Sequence, residues 1–256
     1  MTTTLEFPDL LRLIDDRAAA FRAAVESAPG LAAKVPSCPE WTVSDLVRHL
    51  GQVHRFWAEA VAAGPADGPP AGNASQEAED APQDLAALLE WSAASTRRLL
   101  DALREAGPDR DCWTWWAGSQ SPQTSGAVAR HQVQEATVHT YDAQLAAGDP
   151  QPLPAEAALD GVDEFLVTCC AGPDAWPFEP VVVEYHATEG RSWHLDLSAE
   201  GTKVARVPAP NGAAATGTAT AAELVLVFYG RLPIDALQIE GDRLHLERLR
   251  DWDEDA

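Results

Sequence analysis

Four runs of apolar residues at helical spacing fill the first 147 positions, and they constrain the fold more than any other feature. The first runs from about Leu5 to Ser27, with Leu10, Leu11, Ile14, Ala18, Phe21 and Val25 on one stripe. The Pro- and Gly-containing stretch "SAPGLAAKVPSCPE" ends it. "WTVSDLVRHLGQVHRFWAEAVAA" then opens the second, with Thr42 placed to cap the amide of Asp45 and Asp45 placed to answer. "GPADGPPAGNASQEAEDAP" reads as a surface linker. A third helix is predicted from about Gln83 to Ala106, followed by the Trp-rich loop "GPDRDCWTWWAGSQSPQTSG". The fourth runs from about Ser125 to Ala147. Four long helices with two extended connections predict a four-helix bundle.

The pattern changes after "AAGDPQPLPAEA". A helical stretch from Ala155 to Thr168 leads into strand-like runs, "PVVVEYHA", "RSWHLDL" and "TKVARV". In the second of these, Trp193, Leu195 and Leu197 alternate with Ser192, His194 and Asp196, the period of a half-buried strand. "GTATAAELVLVFYGR" reads as a helix ended at Gly230, and "IDALQIEGDRLHLERL" as a strand, a turn and a short helix. The tail "DWDEDA" reads as a frayed acidic terminus. The fold class expected is therefore α+β, with a bundle over residues 1–150 and a smaller α+β domain over residues 151–256.

Composition removes several functions. A net charge of -22 would repel phosphate backbones and anionic lipid, which argues against nucleic-acid and membrane partners. No apolar run approaches the ~18 residues of a membrane span, and the stretch "MTTTLEFPDLLRLIDD" lacks the basic region and long apolar core expected of a signal peptide. Cys38, Cys112, Cys169 and Cys170 show no C-x-x-C pair or disulfide-like spacing, so a reducing cytoplasm is expected.

The fourth helix carries an anomaly. Its inward stripe from Val128 reads His131, Glu135, Val138 and His139, Asp142 and Leu145, where apolar residues should dominate. A buried carboxylate costs several kcal/mol unless it is paired or bound to metal. Glu135 and His139 stand at i and i+4, so both side chains leave the same face and can converge on one ion. A third ligand must come from another helix. The second helix offers His49, which shares a face with Leu46, Val53 and Phe56, and His54, nearer Val47, Leu50 and Trp57. Periodicity does not choose between them. His131 reads as a satisfied helix histidine. Asp142 reads either as a helix-end residue or as an acceptor for the second ring N–H of a ligand histidine.

"CPEWTVSDLVRHLGQVH" followed by "ARHQVQEATVHTYDAQLA" resembles the actinobacterial mycothiol-dependent maleylpyruvate isomerase family. Its pattern is W-T/S-V-x-D-L-x-x-H-L in helix two and R-x-x-x-x-E-x-x-V-H-x-x-D-A in helix four. The second half, with "ELVLVFYGR" and "IEGDRLHLERL", is similar to that family's C-terminal domain, so the likeness spans nearly the whole chain. It implies a DinB-like metal-binding bundle, a sterol-carrier-like second domain, and His49, Glu135 and His139 as metal ligands. Zinc is the metal first expected, and nickel, cobalt or iron(II) would also suit the set. Mycothiol is the implied thiol cosubstrate, adding to a small electrophile such as maleylpyruvate before rotation and elimination. Arg231, in "FYGRLP", is the implied catalytic residue for a substrate carboxylate, and Trp113, Trp115 and Trp116 could wall the site. Cys169 and Cys170 read as buried helix-end residues and Cys38 as a loop residue. The expectation is thus a thiol-dependent isomerase or S-transferase, monomeric or homodimeric. The alternative is a non-catalytic module that binds a small ligand or a protein.

Overall fold

The computed structural model describes residues 5–72, 74–208 and 212–252. It is a mixed α+β chain whose contacts fall into two compact units, one running to Trp115 and resuming over Gln123–Leu153, the other comprising Trp116–Pro122 and the chain from Pro154 onwards.

The first unit is built on α1 (Phe7–Ser27), α2 (Val43–Ala63), α4 (Leu85–Ala106) and α5 (Ser125–Ala147). Helix α1 packs on α5 and α4, and α2 packs on α4 and α5. At one end of the bundle Phe21, Val25, Leu46, Leu50 and Leu88 form a shared core with Val35 and Val43. The T-x-x-D pattern acts as expected: Thr42 Oγ1 accepts from the Asp45 amide, and the Asp45 carboxylate accepts from the Thr42 amide at 2.8 Å. On α1, Leu13 is fully buried while Leu11 is only half-buried.

Two connections hold more structure than their composition suggests. The segment before α2 forms an antiparallel pair, β1 (Lys34–Val35) with β2 (Cys38–Thr42). The supposed surface linker contains a short helix, α3 (Ala74–Glu79). Arg48 holds it from α2 by donating to the carbonyls of Ala78 at 2.7 Å and Ala81 at 2.9 Å, groups that a helix end leaves without partners.

The second unit carries a five-stranded sheet in the order β5-β4-β3-β6-β7, from β3 (Val181–Ala187), β4 (Arg191–Ser198), β5 (Gly201–Val207), β6 (Ala215–Ala219) and β7 (Gln238–Gly241). The pair β3/β6 is parallel, and the other pairs are antiparallel. As the alternation predicts, Trp193, Leu195 and Leu197 are buried on one face of β4. Helix α6 (Ala155–Phe165) continues into a single π-turn, Leu166–Cys170, and its Asp163 accepts from the Trp193 indole at 3.0 Å.

The stretch expected as one helix to Gly230 divides. Residues 215–219 form β6 beside β3, and only α7 (Ala221–Phe228) is helical, started by a Thr220–Glu223 capping box. Gly217 lies in β6 where a Cβ would come within 3.1 Å of the Tyr185 and Leu237 side chains, so a larger residue there would have to push them aside by a few tenths of an ångström. Helix α8 (Arg243–Trp252) includes Asp251 and Trp252, so the acidic tail is ordered that far; residues 253–256 lie outside the described chain. Trp252 meets Trp176 edge-on, 5.3 Å between ring centroids. Among the described residues no helix is long and apolar enough to cross a membrane.

Candidate metal centre

Helix α5 begins at Thr124, whose hydroxyl accepts from the Ala127 amide, and ends at Gly148 in the left-handed region at φ 78°. Nearly every side of it is buried, not one stripe alone: Gln132, Gln134, Thr137 and Asp142 are all below 2 % exposed. Polar groups so placed need partners, and within the stripe singled out in the sequence Glu135, His139 and Asp142 supply them to one another.

His139 Nε2 lies 3.2 Å from Glu135 Oε2, and its Nδ1 donates to Asp142 Oδ2 at 2.9 Å. His49, from the first half of α2, brings its Nε2 to 4.0 Å from the same Glu135 oxygen. One ligand atom from each of His49, Glu135 and His139 lies within 4.8 Å of the other two. The β1–β2 hairpin completes the surroundings. Ser37 Oγ donates to the other Asp142 oxygen at 2.6 Å, and the Trp41 ring sits 4.7 Å from His49 and 6.1 Å from His139.

The charges are coupled. Burial alone would push the Glu135 carboxyl up; the hydrogen bond and charge of His139, with His131 and His49, outweigh it and hold the group at about 2. Burial would likewise pull the His139 imidazolium down, but its bonds to Asp142 and Glu135 raise it to about 9. Without a metal, His139 is therefore protonated at neutral pH and forms an ion pair with Glu135.

Of the two histidines left open on α2, the cluster takes His49. His54 points elsewhere: it is 1 % exposed, its Nδ1 is 3.3 Å from Thr96 Oγ1, and burial drops it to about 4. His131 stands beside the cluster, its Nε2 4.0 Å from Glu135 Oε1, with Trp57 and Trp115 edge-on at 6.1 and 5.8 Å. The three loop tryptophans separate. Trp115 is half exposed near His131, Trp113 packs with Phe56 and Trp57, and Trp116 is buried in the second unit, donating to the Pro122 carbonyl. Arg231 belongs to the second unit, where it donates to the Tyr229 carbonyl at 2.6 Å. None of the four cysteines, all among the described residues, is joined in a disulfide. Cys169 and Cys170 are partly exposed rather than buried, because the π-turn brings them to its end, and Cys38 lies in β2 rather than a loop. Ser37 and Trp41 had no periodic signal in the sequence.

The donor set fits a divalent ion. A tetrahedral zinc separates its ligand atoms by about 3.4 Å, against 3.2 Å observed between His139 and Glu135 and 4.0 Å between His49 and Glu135. The Asp142–His139 bond is the usual outer support for a ligand imidazole. Fold and site together define an α+β protein with a two-histidine, one-carboxylate cluster inside a helical bundle.

The model for the mycothiol maleylpyruvate isomerase N-terminal domain matches residues 11–144, and that for the MDMPI C-terminal domain matches residues 156–248. The chain belongs to the mycothiol maleylpyruvate isomerase family, a family of enzymes. Two crystal structures, of the mycothiol-dependent maleylpyruvate isomerase and of a histidine-to-alanine mutant of it, each cover 94% of this chain and 96% of theirs at 15% identity. Their TM-scores of 0.60 and 0.62 establish a shared fold. No curated protein sequence matches the chain.

Proposed function

We propose that the chain is a metal-dependent enzyme that uses a low-molecular-weight thiol, mycothiol in the first instance, either to isomerise a small electrophile or to transfer the thiol onto it. The observation that carries this reading is the convergence of His49, Glu135 and His139 beneath Trp41. A divalent ion bound by these three would keep a position for the thiol and hold it as thiolate at neutral pH. Zinc is the ion expected, and the same donors suit nickel, cobalt or iron(II).

The protein's own residues do the rest. Asp142, fixed by Ser37, orients His139 and presents its Nε2 to the cluster. Trp41 covers the imidazoles on one side and limits the access of water. The thiolate sulfur would add to one carbon of the substrate's activated double bond, whose π electrons pass to the conjugated carbonyl as an enolate and leave a single bond free to rotate. In an isomerase the enolate then re-forms the double bond in the trans arrangement and expels the thiolate, whereas in a transferase the enolate takes up a proton and the C–S bond stays. Arg231 is assigned to a substrate carboxylate, since a guanidinium can hold both oxygens at once.

The test is turnover of maleylpyruvate by purified, metal-loaded protein with and without mycothiol. Thiol-dependent conversion to fumarylpyruvate supports the isomerase, and a stable thioether product supports the transferase. Arg231→Lys should lower either rate at least tenfold while metal content and melting temperature stay within error. Neither product forming at any metal loading would overturn the reading.

A further inference from the structure

The tryptophan-rich loop and the second half of α2 build an aromatic wall that the chemistry described so far does not use. It starts at the cluster itself, because His131 Nε2 lies 4.0 Å from Oε1 of Glu135. Trp115 and Trp57 stand edge-on to the His131 ring at 5.8 and 6.1 Å. Trp113 stacks on Trp57 at 6.2 Å, and Phe56 meets both, 5.3 Å from Trp57 and 5.8 Å from Trp113. Each of these residues belongs to the first unit.

Helical spacing sets how far the wall lies from the reacting centre. His131 precedes Glu135 by one turn, and Phe56 and Trp57 follow His49 by two, so the wall runs from ~5 to ~10 Å along the bundle from the cluster. That is the reach of a small substrate whose reacting carbon sits at the cluster and whose far end is a ring. The wall is not uniform. Trp57 is 3 % exposed, whereas Trp115 is 50 % exposed, which leaves an indole surface for a ligand ring to cover.

An indole face is electron-rich, and an aryl ring conjugated to a carbonyl is electron-poor, so the two favour offset stacking. An aliphatic chain in the same place would gain burial alone. Within the thiol-dependent reading, on which this inference rests, we propose that the wall selects electrophiles whose activating carbonyl carries an aryl ring. The ring lies on Trp115 and the double bond at the cluster, and the substrate carboxylate of that reading is kept. Maleylpyruvate remains a substrate, with a higher KM than an aryl ketone of the same carboxylate–alkene–ketone order. With cis-3-benzoylacrylate, the thiolate adds to the carbon beside the carboxylate, and the π electrons pass to the benzoyl carbonyl as an enolate. After rotation the enolate re-forms the double bond as trans and expels the thiolate, so no thiol is consumed.

Initial rates of the metal-loaded, full-length protein with mycothiol compare cis-3-benzoylacrylate with maleylpyruvate, each corrected for the uncatalysed reaction. KM for benzoylacrylate should be about tenfold or more below that for maleylpyruvate. Trp115→Ala should bring the two values within about threefold of each other, and Trp115→Phe should restore most of the gap. Binding without chemistry is read by calorimetry with two saturated keto acids, 3-benzoylpropionate and levulinate, which differ by phenyl against methyl. 3-Benzoylpropionate should bind about tenfold more tightly, and Trp115→Ala should remove most of that difference. Equal KM values for the two electrophiles, equal affinities for the two keto acids, or a Trp115→Ala effect confined to KM for mycothiol would overturn the proposal. Absence of thiol-dependent turnover with either electrophile would instead refute the thiol reading, and the calorimetric pair, which needs neither thiol nor turnover, would still decide the aryl subsite.

Discussion

Replacing His54 by Gln should remove much of the protein's sensitivity to mild acid. His54 is 1 % exposed inside the bundle and makes its hydrogen bond to Thr96. Burial lowers it from 6.5 to about 4, with Arg22 adding to the effect and Glu135 opposing it. The unfolded chain therefore binds this proton more tightly than the folded one, so stability falls as the pH drops below 6.5 and the loss levels off below about 4. At about 1.4 kcal/mol per tenfold difference in proton affinity, the gap corresponds to about 3 kcal/mol. That is a large share of the ~5–15 kcal/mol that holds a typical domain folded. Urea unfolding of the metal-free protein and of His54→Gln at pH 7 and pH 4 provides the assay. The unsubstituted chain should lose about 3 kcal/mol more than the variant over that interval. Equal losses would refute the reasoning, since they would mean His54 is not held neutral in the fold.

Two further outcomes concern the support of the cluster. Asp142→Asn removes the anionic acceptor for His139 Nδ1, and should weaken metal binding by about 10- to 100-fold in a competitive chelator titration, with unchanged affinity counting against the role. Because His139 titrates at about 9 in the metal-free protein, metal uptake at pH 7.5 should release its proton, whereas uptake at pH 10 should not. Calorimetry in buffers of different ionisation enthalpy reads that difference, and equal proton release at both pH values would contradict it.

The bundle was legible because its signals are local. Helical spacing and the Thr42–Asp45 cap depend on residues three or four apart, and so does the Glu135–His139 pair. What stayed hidden was long-range. His49 and His54 both fall on faces of α2 that carry apolar residues. Their difference, one-third of a side chain exposed at His49 against a buried His54, is set by the helices packed around them. Ser37 reaches Asp142 from 105 positions away, through a hairpin that composition marks only as a loop. The β6 run, rich in Ala, Thr and Gly, has little intrinsic preference and becomes a strand by pairing with β3 and β7. Helix α3 similarly owes its place to Arg48, thirty residues before the carbonyl of Ala78 that it holds.

The central claim is that His49, Glu135 and His139 hold one divalent ion. Elemental analysis of the purified protein tests it most directly, alongside His49→Ala, Glu135→Ala, His139→Ala and His54→Ala variants whose folding is checked by circular dichroism. One equivalent of metal per chain is predicted for the unsubstituted protein and for His54→Ala, with loss in the other three. Equal metal content in the unsubstituted protein and His139→Ala, or loss only in His54→Ala, would contradict the account.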